Sequence, residues 1–155
     1  MGIALRGWAF ALGAVGTASL AGCQTESAPP PVAAIPSVTS DQIIGKWGLA
    51  SYHRDSDRDR TIKEARAQCN KPYVIGKGPS GGVMMYLADQ PQLSELVLKA
   101  GPDGKTYLGP PGDAGTADDR QVLDVDPASF TTIWVDPDNA ARYGTMVYER
   151  CGKRA

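Results

Sequence analysis

Apolar and polar residues alternate in short runs along most of the chain after residue 45. Near the start of this region, Trp47 and Leu49 alternate with Lys46 and Gly48. A period of two residues is typical of strands that bury one face, and the turns between the runs are rich in glycine, proline and aspartate. The pattern predicts strands over residues 46–53, 72–76, 83–88, 95–99, 105–108, 121–125, 131–135 and 142–150.

Two helical segments complete the predicted pattern. A short turn over residues 41–44 has Ser40 as its N-cap and ends at Gly45, and a longer helix is centred on residues 61–69. Short antiparallel strands fit a barrel or a sandwich, and a closed barrel leaves no strand edge exposed. We therefore predict a mainly β fold, a small antiparallel eight-stranded barrel with one short helix after the first strand.

The first 22 residues have the organisation of an export signal. Arg6 supplies a positive charge, and the uncharged apolar run over residues 8–20 is too short to span a bilayer comfortably. The run ends in the letters LAGC at residues 20–23, and here the chain resembles the bacterial lipoproteins, whose lipobox has the pattern L-[AS]-[GA]-C. The resemblance implies that the signal is cleaved before Cys23 and that this cysteine is acylated.

The lipoprotein resemblance also divides the chain and assigns its location. Residues 23–40 form a lipidated tether with four prolines, and residues 41–155 form one β-barrel domain. A tether in a polyproline-like conformation extends about 3.1 Å per residue, so the domain can stand about 50 Å from the lipid. Gln24, rather than Asp, follows the lipid site, which by resemblance favours anchoring in the outer membrane, facing the periplasm.

The start of the first strand carries a second resemblance. The triplet Gly45-Lys46-Trp47 follows the short helical turn and resembles the G-x-W signature of the calycin-type barrels, namely the lipocalins, the avidins and the small bacterial metalloprotease-inhibitor lipoproteins. The resemblance implies a lipocalin-like barrel in which Trp47 closes one end and Arg150 packs across its ring. The T-D-Y motif of the lipocalins is absent and residues 54–69 are an addition, so function carries over only loosely.

The chain contains three cysteines. If Cys23 carries lipid, Cys69 and Cys151 remain, and thiols in an exported domain normally pair. We therefore predict a disulfide between these two, with two free thiols as the alternative. In the loop-entropy model a bond that closes about 80 residues stabilises the fold by about 4 kcal/mol.

The residue types offer little for catalysis or for cofactor binding. His53 is the only histidine, which excludes multi-histidine metal sites, and a formal net charge of −1 gives no support for nucleic-acid binding. Ser51, His53 and Asp55 would lie about 6.5 Å apart along a strand, too far for a catalytic triad. The aspartates of residues 55–59 resemble the start of a calcium loop, but arginines stand where that loop needs Gly and Glu. We expect no enzyme activity, no cofactor and no metal, with a weak surface metal site as the alternative.

Three functions fit these expectations. The first is a non-catalytic envelope module that binds another envelope protein through its β domain. The second is a periplasmic protease inhibitor of the barrel type, which would insert residues 32–44 into a protease cleft. The third is a lipocalin-like carrier of a small apolar ligand, with Met84, Met85, Tyr86 and Trp134 as candidate cavity walls. A cavity above about 300 Å³ would favour the carrier, and a filled barrel with an exposed apolar patch would favour the envelope module.

Overall fold

The computed structural model describes residues 37–152, and in it eight antiparallel strands close into a barrel. Each strand pairs with the next along the chain, and the first pairs with the last. The strands are β1 Gly45–Tyr52, β2 Tyr73–Lys77, β3 Val83–Tyr86, β4 Leu93–Ala100, β5 Thr106–Gly109, β6 Arg120–Val125, β7 Ser129–Trp134 and β8 Thr145–Arg150. The mainly β, eight-stranded antiparallel barrel is therefore confirmed, and the fold is consistent with a calycin-like barrel.

Three short helices accompany the strands in the described part of the chain. They are α1 Ser40–Ile43, α2 Arg58–Ala67 and α3 Pro137–Tyr143, and 3₁₀ turns at Asp55–Asp57 and Gln68–Asn70 flank α2. A helix after the first strand is thus confirmed in outline. It begins at residue 58 rather than 61, because the charged residues before 61 already form its first turn.

The prediction of a strand from residue 142 is wrong, because α3 occupies the residues that precede β8. Asp136 accepts a hydrogen bond from the backbone N–H of Asn139 at 2.8 Å, and Pro137 stands at the first helical position. Both are helix-start signals. Gly144 ends the helix with a φ of 67°, a left-handed value that favours glycine. The Asp-Pro sequence that looked like a turn is therefore a helix cap.

The barrel interior is filled by aromatic residues near the amino end of β1. Trp47 and Phe130 meet edge to face with ring centroids 4.7 Å apart, and Phe130 stacks on Tyr148 at 4.1 Å. The indole Nε1 of Trp47 donates to the carbonyl of Ile43 at 2.7 Å, which fixes α1 beneath the barrel. The fully enclosed core comprises Ile43, Trp47, Ile75, Val83, Met85, Leu96, Leu108, Val122, Phe130 and Tyr148.

Helix α2 packs on the outer face of β1 and β8, and a disulfide fixes its end there. The approach is closest at Gly48, where an added Cβ would lie 1.8 Å from the carbonyl oxygen of Ala65. The predicted bond between Cys69 and Cys151 is confirmed, and it joins residues 82 positions apart. The bond ties the end of α2 to the end of the last strand.

Ordered packing begins before residue 41, where we placed the start of the domain. The Ser37 hydroxyl lies 3.2 Å from that of Thr106, and the Ser40 hydroxyl donates to the carbonyl of Gly81. Residues 37–40, which we assigned to the tether, are thus part of the folded unit. The signal over residues 1–22, the lipid site Cys23 and the rest of the tether lie outside the described residues.

Candidate functional site

The barrel is sealed at the end where β1 begins. The guanidinium carbon of Arg150 lies 4.0 Å from the centroid of the Trp47 ring, so the structure brings together the two residues that we assigned to barrel closure. Arg150 also donates to the carbonyl oxygens of Gln42, Ile44 and Pro127 at 2.6, 3.2 and 3.0 Å. Its charge is thus covered by an aromatic ring and three carbonyl dipoles. Two open clefts of about 390 and 340 Å³ flank α1 at this end, outside the filled interior.

The opposite end, where β1 stops, contains a cavity of about 150 Å³. The inward-facing side chains at the ends of several strands form its wall, because alternate residues of each strand point into the barrel. Most of the wall is aromatic, and the rings lie close together: Tyr73 and Tyr148 have centroids 6.0 Å apart, and Trp134 and Tyr143 6.1 Å apart. The main lining side chains are Tyr73, Tyr86, Trp134, Tyr143, Met146 and Tyr148.

Arg120 also lines this cavity and is the one charged side chain of its wall within the described residues. It is the first residue of β6 and lies opposite Trp134 in the β6–β7 register. Its guanidinium carbon is 4.1 Å from the Trp134 ring centroid, and the side chain is only 3% exposed. The stacking is a cation–π contact that offsets part of the cost of burying the charge.

The hydrogen-bonding capacity of Arg120 is largely unused. Nη2 donates to the carbonyl oxygen of Tyr86, whereas Nε and Nη1 have no hydrogen-bond partner within residues 37–152. A guanidinium carries five N–H donors and stays protonated at all physiological pH values. The cavity wall therefore includes a residue with a permanent positive charge, two of whose nitrogen atoms are buried without a hydrogen-bond partner among the described residues.

The tyrosines of the wall do not neutralise this charge. Burial raises the pKa of Tyr148 to about 12, although the nearby Arg120 charge lowers it in part. Burial also raises the pKa of Tyr73, whose hydroxyl accepts a hydrogen bond from the backbone N–H of Tyr86 at 3.1 Å. Both phenols are therefore neutral near pH 7, and neither supplies an anion to Arg120.

One carboxylate joins two segments of the cavity wall. We call this carboxylate and its two hydrogen-bond donors the latch. Asp89, in the β3–β4 turn, accepts from Arg142 Nη1 and from the Tyr143 hydroxyl, each at 2.7 Å. The turn contributes Ala88 to the cavity, and α3 contributes Tyr143. Both charged groups of the latch are more than half exposed. Exposed ion pairs are weak, so the latch can open at small cost.

Several candidates from the sequence lie elsewhere. Tyr86 and Trp134 line the cavity, as the carrier hypothesis expects, but Met85 is enclosed in the core and Met84 does not reach the cavity. His53 Nε2 lies 3.0 Å from the carbonyl oxygen of Ala141, so it fixes α3. The structure thus uses Met85 for core packing and His53 to hold α3, whereas Tyr86 and Trp134 belong to the cavity wall.

The charged stretch before α2 is also accounted for by local contacts. Asp57 lies 3.4 Å from both Arg54 and Arg60, and Arg60 lies 2.6 Å from Glu64. In the part of the chain that is described, no three His, Cys, Asp or Glu side chains are grouped to hold a metal ion. The same residues include no helix of sufficient length and apolar character to cross a bilayer.

Arg120 is the residue of the candidate site that sequence reasoning missed. We started the sixth strand at Gln121, one residue too late, and so left Arg120 outside it. Extending the strand by one position places Arg120 on the same face as Val122. The sequence did not show that this face points inward, because the apolar Leu123 lies on the opposite face and is 47% exposed in the structure.

Comparisons with protein-family models, with curated proteins and with solved structures found no match. A function is therefore inferred from the barrel, its sealed end and its lined cavity. A fold by itself does not define a function, so the inference rests on the chemistry of the cavity.

Proposed function

We propose that the protein is a non-catalytic binding module that holds one small molecule in the cavity at the open end of its barrel. The observation that carries this proposal is a cavity of about 150 Å³ with aromatic walls and a buried arginine that keeps unused donors. Small-molecule sites are typically apolar hollows with a few well-placed polar groups.

The size of the cavity restricts the carrier hypothesis. The volume of about 150 Å³ is half of the value of about 300 Å³ at which drug-sized pockets begin. A cavity of this size holds one benzene-sized ring. The proposed ligand is therefore a single-ring molecule, and long-chain lipids are too large.

An interaction with another envelope protein is supported less well. The large apolar side chains with the greatest exposure are Val74, Tyr86, Leu93 and Leu123, at 41–54%. Tyr86 and Leu93 are opposite each other in the β3–β4 register, whereas Leu123 lies on β6. A pair of neighbouring exposed side chains is smaller than the patches of several hundred Å² that mark docking surfaces, so it gives the envelope module weak support.

The geometry also disfavours protease inhibition through residues 32–44. The described part of this segment is built into the barrel, because Ile43 is fully buried and its carbonyl accepts the Trp47 indole bond. Inserting these residues into a protease cleft would require α1 to leave the sealed end. A binding module for a small molecule needs no such rearrangement.

We further propose that Cys23 anchors this module to the outer membrane, facing the periplasm. The support is the lipobox pattern of the sequence, and two or more acyl chains suffice for stable anchoring. Changing Cys23 to Ser should move the protein out of the membrane fraction and abolish its labelling by a radioactive fatty acid. Retention of both properties in the variant would reject the lipid anchor.

The binding proposal is tested with small probes on the mature lipidated protein in mild detergent. Benzoate, benzamide and phenol at millimolar concentration should give saturation-transfer NMR signals with the wild type. Ala88→Trp fills the cavity and should abolish these signals, whereas Ala67→Trp, at an exposed position of α2, should keep them. The proposal is overturned if no probe binds the wild type, or if Ala88→Trp binds all three probes as the wild type does.

A further inference from the structure

We propose that the molecule held in this cavity is a small aromatic carboxylate with a single ring, and that Arg120 binds its carboxylate group. This inference rests on the proposed function and specifies its ligand class. Its basis is the pairing of the buried charges in the fold, the composition of the cavity wall and the volume available.

Three of the four charged residues that are buried in the described part of the chain have an opposite charge beside them. Lys99 is 9% exposed, lies 2.6 Å from the fully buried Asp119, and donates to two loop carbonyls. Glu149 is 7% exposed at its side chain and lies 2.9 Å from Arg66. These pairs follow the general rule that a charge removed from water needs a counterion.

Arg120 departs from this rule. It is as deeply buried as Lys99, yet within residues 37–152 no carboxylate lies within ion-pair distance of it. Its contacts are the Trp134 ring and the carbonyl oxygen of Tyr86. Neither contact carries a negative charge. A bound anion would therefore supply the counterion that the fold does not.

The cavity wall leaves no internal candidate for that anion. No aspartate or glutamate lines the cavity within the described residues. Asp119, the neighbour of Arg120 in the chain, is paired with Lys99. Asp89, next to Ala88 of the wall, already accepts from Arg142 and Tyr143. The anion must therefore enter with the ligand.

The preference for a carboxylate follows from the geometry of the guanidinium group. Its planar array of N–H donors matches the two oxygens of a carboxylate better than a spherical ion. Nη2 is partly used by Tyr86, and Nε and Nη1 are buried without a hydrogen-bond partner within residues 37–152. A carboxylate in the cavity would pair with them after a small rotation of the guanidinium group towards the cavity. A carboxylate attached directly to a ring would lie in the same plane as the ring and fit a narrow space.

The preference for a ring follows from the remaining wall. Tyr73, Tyr148, Trp134 and Tyr143 present aromatic surfaces at spacings of about 6 Å between neighbouring rings. Aromatic pairs favour offset or edge-to-face contacts at centroid distances of about 4.5–7 Å. An inorganic anion would leave these surfaces without contact, whereas a single ring would contact them and displace the solvent.

The test compares benzoate with benzamide, a neutral molecule of nearly the same shape. In titration calorimetry with the mature protein, benzoate should bind at least tenfold more tightly than benzamide. Acetate and inorganic phosphate, which lack the ring, should bind at least tenfold more weakly than benzoate. All measurements use the same ionic strength, so that screening affects each anion alike.

Variants of Arg120 assign the effect to this side chain. Arg120→Met should weaken benzoate binding at least tenfold and change benzamide binding less than twofold. Arg120→Lys keeps the charge but not the planar fork and should give an intermediate loss. Arg58→Met, at an exposed position of α2, is the matched control and should bind both probes as the wild type does.

The outcomes separate the two proposals. Equal binding of benzoate and benzamide to the wild type would overturn the carboxylate assignment and leave the binding module intact. Equal binding of acetate or phosphate and benzoate would overturn the ring assignment. Binding of no probe would overturn the proposed function itself. If Arg120→Met does not fold, as judged by circular dichroism, the ratio of benzoate to benzamide affinity in the wild type decides the question.

Discussion

Arg120 and Trp134 lie opposite each other on β6 and β7, with the guanidinium carbon 4.1 Å from the centroid of the ring. Arg150 and Trp47 form the same kind of contact at 4.0 Å on β8 and β1, at the other end of the barrel. The two pairs differ in the surroundings of the cation. Arg150 donates to three carbonyls, whereas Arg120 keeps Nε and Nη1 without partners among the described residues. The cation of one pair is therefore covered by the fold, whereas the cation of the other lines the cavity that we propose as the binding site.

The first prediction concerns the sealed end. Arg150→Met removes the contact with Trp47 and three hydrogen bonds from a charged donor, so the free energy of unfolding should fall by about 3 kcal/mol. Urea unfolding followed by circular dichroism measures this change. Arg58→Met, at an exposed position of α2, should alter the stability by less than about 0.5 kcal/mol. Equal stability of the two variants would show that Arg150 does not hold the barrel closed.

The sequence could predict the barrel because period-two patterning and turn residues reflect local chemistry. The Trp47 triplet and the two remaining cysteines also carried enough information to assign the sealed end and the disulfide. What the sequence did not reveal depends on tertiary packing. The position of α3 was missed because Asp136-Pro137 starts either a turn or a helix, and the choice depends on contacts such as that of Tyr143 with Asp89. The cavity could not be predicted for the same reason, because the residues of its wall come from strand ends that are far apart in the chain.

The second prediction concerns the contact between α2 and the barrel. Gly48→Ala would place a Cβ 1.8 Å from the carbonyl oxygen of Ala65, which belongs to the backbone and cannot rotate away. The helix must shift, and we expect a loss of about 3 kcal/mol in the free energy of unfolding. Gly76→Ala is the control, because its Cβ would meet nothing closer than Met84 Cβ at 4.0 Å. Because the expected loss is about 3 kcal/mol, a free energy of unfolding of Gly48→Ala within about 1 kcal/mol of the wild-type value would contradict this explanation.

The third prediction concerns alkaline pH. Burial raises the pKa of Tyr148 in the folded state to about 12, above the value of about 10 expected for the unfolded chain. The unfolded chain therefore loses this proton first, and stability that is fully present below pH 10 is lost as pH rises towards 12. At pH 11.5 the contribution of Tyr148 to the loss should reach about 2 kcal/mol.

Denaturant unfolding between pH 8 and 11.5 tests this expectation on the wild type and on Tyr148→Phe. Over this pH interval, the free energy of unfolding of the variant should fall by about 2 kcal/mol less than that of the wild type. Tyr52→Phe is the control, because Tyr52 is outside the core cluster. If Tyr148→Phe and the wild type show the same decline with pH, Tyr148 is not the titrating group.

The fourth prediction concerns the latch. Asp89→Asn weakens the bonds to Arg142 and Tyr143, but the charged groups are more than half exposed, so the free energy of unfolding should change by less than about 1 kcal/mol. The local effect should be larger, because these bonds join the β3–β4 turn to α3. Hydrogen exchange followed by mass spectrometry should therefore show severalfold faster exchange in residues 137–144, with unchanged exchange in α2. Asp124→Asn, an exposed carboxylate on β6, should leave both regions unchanged. A uniform increase in exchange over the whole chain would indicate global destabilisation and reject a local latch.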